Sequence, residues 1–194
     1  METLGAACVR WRVLPSGGLR RRLQRWREGF GWRSPARSTF ALHRRADRTE
    51  LGAPPVLCLV EQREVALLAT RWSTDWRELP DAASTLEIAE VVRALVALHG
   101  WGFVERRVDH DHWRVDLGGR PPRLVPVDFG WMHWSKYVDV PARARHLAAF
   151  ARLLPGDPFR LLEGEGTLAY AEASSLGGPP EAFLEAVRRA ASER

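Results

Sequence analysis

The sequence predicts an α+β fold with two unlike halves. Short alternating or apolar runs broken by turn signals fill the chain up to Trp72. A sustained 3.6-residue apolar period follows within residues 80–100, and three more helical patterns come after Asp128. A small strand-and-helix portion followed by a mainly helical one, with no repeats and no low-complexity linker, is the order that predicts this class.

Taken in order, "CVRWRV" alternates and predicts a short strand that "LPSGG" ends. Residues 19–28 are expected to form an Arg-rich helix. Ser34 is placed as an N-cap with Pro35 at the first helical position, predicting a helix over about 35–50 that "LGAPP" stops. Two apolar runs flank the polar "EQRE" in "VLCLVEQREVALLATRW", the pattern of a hairpin. "PDAASTLEIAEVVRALVALHG" carries Ile88, Val91, Val92, Leu95 and Val96 at helical spacing, with Gly100 at the stop. After "FV" and a polar loop, "WRVDLGGRPPRLVPV" predicts a second hairpin turning at Gly118-Gly119. "PARARHLAAFARLL", "DPFRLLEGEGTLAYAEA" and "PPEAFLEAVRRAAS" are the closing helices.

At 194 residues the chain is long enough to bury a core, and 45% hydrophobic with 27% charged residues is ordinary for a globular domain. No apolar run approaches the roughly 18 residues of a membrane span, and the N-terminus lacks a signal-peptide core. Two cysteines, Cys8 and Cys58, imply neither a disulfide framework nor a metal knuckle, so a reducing cytoplasm is the expected compartment. Of the 29 basic residues, only Lys136 is lysine; there is no asparagine, and Ile88 is the one isoleucine. Coding bias toward Arg, Ala, Gly and Pro accounts for such replacements on a surface. It does not account for losing a residue whose chemistry is required. The net charge of +5 raises an acidic partner. Residues 19–33 interleave arginines with Trp26, Phe30 and Trp32, which suits an anionic membrane surface or, with less support, nucleic acid. A solvated basic helix with its tryptophans in the core fits the same pattern.

The run "LHGWGFVERRVDHDHWRVDLGGRPPRLVPVDFG" resembles the protein-kinase-like fold, and more particularly the lipopolysaccharide kinases that phosphorylate Kdo or heptose sugars of the core. Those carry a helix ending in Leu-His, a glycine two or three residues on, His-x-Asp, an Asn five residues after that Asp, a Leu-x-Asp hairpin, and Asp-Phe-Gly. Leu98-His99, Gly102, "HWRVD" (112–116) and Asp128-Phe129-Gly130 stand in that register. "SPARSTFALHRRADRTELGAPP" and "PARARHLAAFARLL" also look like family helices, so the resemblance covers about residues 9–190. It implies one kinase-like domain over 1–194: a truncated small N-terminal lobe over about 1–80 with its long helix at 35–50, and a mainly helical C-terminal lobe over about 81–194. It further implies ATP, Mg or Mn, an anionic glycolipid or sugar acceptor, and a place at the inner membrane's cytoplasmic side.

The working positions depart from that pattern. Phosphoryl transfer in this fold relies on positioning, metal charge, a lysine on the phosphates and an aspartate orienting the acceptor hydroxyl. Asp128 matches the metal-holding aspartate. Arg107 stands at the acceptor-orienting aspartate, Glu105 at the loop histidine and His112 at the metal-binding Asn. Imidazole suits Zn, Mn and other transition metals better than Mg. The phosphate lysine has no counterpart, since Lys136 lies beyond Asp-Phe-Gly; Arg10 or Arg12 would have to replace it. Gly17-Gly18 lacks the spacing of a phosphate flap, and only eight residues precede Val9, so the chain reads as short at its N-terminus. Losing a general base alone costs about 10² to 10⁴ in rate. In "DHDH", an extended loop would point Asp109 and Asp111 one way and His110 and His112 the other. One pair with Asp128 would give three metal ligands, and Asp109 is a candidate relocated base. Alternatively Arg106, Arg107 and Arg114 simply pair with these aspartates. The expectation is a kinase-like fold with lost or weak activity; a pseudokinase scaffold with a protein partner and an Arg-rich anionic-surface binder are the alternatives.

Overall fold

The computed structural model describes residues 7–15, 35–62, 65–156, 160 and 162–192. The Arg-rich helix expected over 19–28, the Ser34 cap and the basic-aromatic stretch 19–33 lie outside these residues. The chain divides into two compact units, Met1–Asp75 and Trp76–Arg194.

In the first unit, β1 (Ala7–Pro15), β2 (Val56–Glu61) and β3 (Val65–Ser73) form an antiparallel sheet in the order β1-β3-β2. The hairpin about "EQRE" is present: Gln62 N–H donates to Val65 O at 2.8 Å. Helix α1 (Pro35–Ala46) covers one face, where Leu14, Ala36, Val56, Ala66 and Leu68 are buried with Phe40 and Leu59 against them. Burying each larger side chain here stabilises by about 1.5–3 kcal/mol. The helix ends four residues short of the expected 50. The Thr49 hydroxyl donates to Ala46 O at 2.6 Å, replacing helical continuation with turns, and Gly52 adopts φ +67°. Strand β1 is present, yet Val9, Trp11 and Val13 are between 51% and 68% exposed, and Cys8 and Arg10 are exposed as well.

In the second unit, β4 (Trp76–Glu78) leads into a short helix α2 (Leu79–Ala82) and a 3₁₀ turn (Ala83–Thr85). Only then does α3 (Ile88–Gly100) begin. The single helix expected from residue 80 is therefore broken: Leu86 and Glu87 are extended, at ψ 130° and 142°. Leu79, Ala82, Ala83 and Leu86 are all buried there, so packing rather than helical period fixes the segment. Within α3, Val91, Val92, Leu95, Leu98 and His99 are buried.

Helix α3 runs through Gly100, and the left-handed residue is Gly102, at φ +84°. A β-carbon there would lie 2.0 Å from Ser135 O, so only glycine permits this approach. It starts β5 (Phe103–Glu105), which pairs with β8 (Met132–Trp134), a strand the sequence reading lacked. The expected second hairpin is β6 (Trp113–Asp116) and β7 (Arg123–Pro126), with β4 added on the far side of β6. Helical segments follow. Helix α4 (Val140–Ala151) is capped by Asp139, whose side chain accepts from Ala142 N–H at 2.7 Å. A wide π-type turn (Leu162–Gly166) precedes α5 (Thr167–Ala173), and α6 (Pro180–Ser192) closes the chain. Trp113, Phe103, Phe129, Phe150, Leu95, Leu147 and Tyr170 are the fully buried heart of this unit. Trp113 meets Phe150 edge-on at 5.0 Å and Phe103 meets Phe129 at 5.4 Å.

Candidate functional site

The polar centre of the second unit is Glu105. Strand β5 carries it inward because Phe103 on the same face must enter the core. Its side chain is 0% exposed, and a carboxylate so placed is costly unless donors surround it. Three do. His112 Nδ1 lies 3.0 Å from Oε1, while Trp113 Nε1–H donates to Oε2 at 3.1 Å and His146 Nε2 lies 3.2 Å from Oε2.

From His146 the network continues through the helices. His146 Nδ1 on α4 lies 2.7 Å from His99 Nε2 on α3, and His99 Nδ1 lies 2.6 Å from the Tyr170 hydroxyl on α5. One proton arrangement satisfies every link with neutral rings. Tyr170 O–H donates to His99 Nδ1, His99 Nε2–H to His146 Nδ1, and His146 Nε2–H to the Glu105 carboxylate. Four secondary-structure elements are thereby tied to one loop.

The pKa directions agree with this picture. Burial pushes the Glu105 carboxyl up, but hydrogen bonds from His112 and His146, joined by the positive charge either ring carries when protonated, outweigh it and leave it below its ordinary value. Burial lowers His112, yet the Glu105 hydrogen bond and the charges of Glu105, Asp128 and Asp109 carry it above the usual range. His99 is held well below by burial first, then by His146 and Arg143. Burial raises Tyr170.

Beyond His112 stands Asp128. It follows the buried strand β7 and accepts from Gly130 N–H at 2.7 Å, forming the turn of Asp-Phe-Gly. Its Oδ2 lies 3.8 Å from His112 Nε2, so residues 112 and 128 are brought together. The indole of Trp131 lies roughly parallel to the His112 ring, 6.5 Å away.

The loop between these groups is not extended. Residues His110–His112 form a 3₁₀ turn, with the Asp109 carboxylate accepting from Asp111 N–H at 3.2 Å. This overturns the alternation expected for "DHDH": Asp109, His110 and Asp111 gather at the surface, their donor atoms within 4.8 Å of one another, while His112 alone turns inward. Asp111 is 72% exposed, on the surface side of the turn. Arg107 is 71% exposed and meets Asp109 at 3.8 Å, an exposed pair worth about 0–1 kcal/mol. Arg106 reaches His133 at 3.4 Å, and Arg114 binds the carbonyls of Trp113 and Asp111 and lies 3.7 Å from Glu78.

Asp128 and His112 are the residues that would hold the metal of a kinase-like fold. The carboxylate fits Mg²⁺. The imidazole does not, because Mg²⁺ demands hard oxygen donors. In the first unit, the Arg10 guanidinium lies 4.2 Å over the Trp72 ring and Arg12 is half-buried. Sequence reasoning missed His146, Tyr170 and Trp113, and gave Glu105 no role. The one signal available was a glutamate inside an otherwise apolar strand.

Neither a protein-family model nor a curated protein sequence matches the chain. Solved structures do. WbdD, described as a bifunctional kinase-methyltransferase, superposes with a TM-score of 0.55 at 14% identity, over 94% of this chain and 40% of its own. A higher-resolution structure of WbdD gives 0.55 at 15% identity, covering 94% and 41%. A divergent kinase lacking the glycine-rich loop, which regulates membrane ultrastructure of the Toxoplasma parasitophorous vacuole, gives 0.52 at 15% identity, covering 95% and 72%. The chain thus has a kinase-like fold and spans about two fifths of the WbdD chain's length.

Proposed function

We propose that this chain is a divergent kinase-like protein, patterned on the phosphotransferases of lipopolysaccharide core sugars, whose own phosphoryl transfer is lost or weak. Its helical unit then serves as a binding scaffold for a protein partner. The observation that carries this reading is Arg107. Where the acceptor hydroxyl needs a proton acceptor, the loop presents a permanent cation turned to solvent. Asp109, the candidate replacement, is engaged as the cap of the 3₁₀ turn and with Arg107 and His110. Glu105 is sealed in the interior.

The test is phosphoryl transfer by the unaltered protein, with ATP and Mg²⁺ or Mn²⁺, onto Kdo- or heptose-terminated core oligosaccharide. No transfer is expected, and none from R107D/H112N either, because a base and an amide do not supply the missing lysine. Steady transfer by the unaltered chain would overturn the scaffold reading. A second reading, a weak enzyme acting on an anionic glycolipid or sugar at the inner membrane's cytoplasmic side, is favoured by one feature: the buried Asp128 turn with Phe129 packed on Phe103. Residues 19–33 would supply its membrane contact, and Arg10 or Arg12 its phosphate cation. Among the described residues no helix is long and apolar enough to cross a membrane.

A further inference from the structure

The inner wall of the loop has the makings of a metal site of a different class. His112 is 4% exposed and Asp128 6% exposed, and the 3.8 Å between Nε2 and Oδ2 is too long for a hydrogen bond. Two metal bonds of about 2.0–2.2 Å span that gap at an open angle, and a closure of a few tenths of an ångström brings it to tetrahedral. The ring is not free to choose its ligand atom. Its Nδ1 is 3.0 Å from Glu105, so Nδ1 carries the proton donated to the carboxylate and Nε2 is the atom turned to Asp128. Carboxylate–imidazole–metal is the arrangement by which proteins orient a metal-binding histidine and raise its basicity. Here the carboxylate is itself fixed by Trp113 and His146.

We propose that His112 Nε2 and Asp128 Oδ2 bind a borderline divalent cation of the Mn²⁺, Co²⁺ or Zn²⁺ class in preference to Mg²⁺, with Glu105 as the positioning residue behind His112. The remaining coordination positions belong to water or to oxygens of a ligand. The proposal rests on the reading of residues 105–130 as a kinase-like loop only for where a cation would sit. Metal binding and phosphoryl transfer are separate measurements, and either can fail without the other. The surface group Asp109, His110 and Asp111 is the competing location, and nothing beyond its own side chains points to a ligand there.

The experiment uses the tag-free full chain, titrated with Co²⁺ and read by its ligand-field absorption, then competed with Zn²⁺, Mn²⁺ and Mg²⁺. Long-range ¹H–¹⁵N spectra of the histidine rings identify the nitrogen that shifts on adding Zn²⁺. The expected result is Co²⁺ bands displaced by Zn²⁺ and not by millimolar Mg²⁺, with the shift at His112 Nε2. H112N should lose the bands while remaining folded by circular dichroism. E105Q should weaken Co²⁺ about 10- to 100-fold, and H110A should leave it unchanged. Where E105Q fails to fold, H112N and the ring spectra decide alone. Absence of any Co²⁺ or Zn²⁺ binding, unaltered binding by folded H112N, or loss of binding in H110A would each overturn the proposal.

Discussion

Lowering the pH from 6.5 should destabilise this protein through His99. The ring is 1% exposed and held between the Tyr170 hydroxyl and His146, with its pKa pushed well below 6.5 by burial. The unfolded chain protonates this histidine near 6.5 and the folded chain does not. The unfolded state therefore binds more protons below that pH, and stability rises with pH through the window. With a neutral folded ring, the loss relative to pH 6.5 is about 1 kcal/mol at pH 5.5 and about 1.6 kcal/mol at pH 5, against a total of about 5–15 kcal/mol for a typical domain. His112 has the opposite sign. Its folded pKa is raised, so its contribution is complete below 6.5 and is lost as pH climbs through the folded value. Glu105, lowered from 4.5, adds a further loss only below that pH. Stability should therefore rise out of the acid limb to a peak where the two histidines oppose one another. Urea unfolding followed by far-ultraviolet circular dichroism at half-unit steps from pH 5 to 8 measures the profile. H99Q removes the titrating group and should flatten the acid limb while lowering the peak. H99F should lower it more, since a stranded Tyr170 hydroxyl and His146 nitrogen cost about 1–3 kcal/mol each. An acid limb of equal slope in folded H99Q would refute the assignment.

The other expectations are local. G102A should cost about 2–4 kcal/mol or prevent folding, because a β-carbon meets the Ser135 carbonyl at 2.0 Å and φ is +84°; a melting temperature within a degree or two of the parent would contradict this. D139A removes the acceptor for Ala142 N–H at the start of α4 and should cost about 1 kcal/mol, measured by the urea midpoint, with D139S restoring most of it. W113F deletes one of the three donors to Glu105 in a fully buried site and should cost about 1–3 kcal/mol, with a smaller further loss on acidification below pH 5 because the carboxyl is then held less far below its ordinary value.

The features legible in the sequence were those with local causes. The β2–β3 hairpin follows from two apolar runs about a polar turn, and α4 and α6 follow from apolar spacing with a proline near each start. The α3 period was readable, but its start was not. Residues 80–87 have helical propensity and lose to the burial of Leu79, Ala83 and Leu86, a decision made by distant partners. Strands β4 and β8 were invisible because three residues carry no periodicity. In the site, Arg107 and His112 could be seen as changes of chemical type at fixed spacing from Asp128. Their surroundings could not.

By itself the sequence determined the α+β class, the kinase-like register and the replacement of carboxylate by guanidinium at position 107, because these depend on residue type and spacing along the chain. Tertiary structure alone decided that Glu105 is the buried hub and that His112 parts company with His110 and Asp111. Both follow from packing: a carboxylate carried into the core by Phe103 must collect donors, and His99, His146 and Tyr170, up to 71 residues apart in the chain, arrive from three helices to meet one another and reach it.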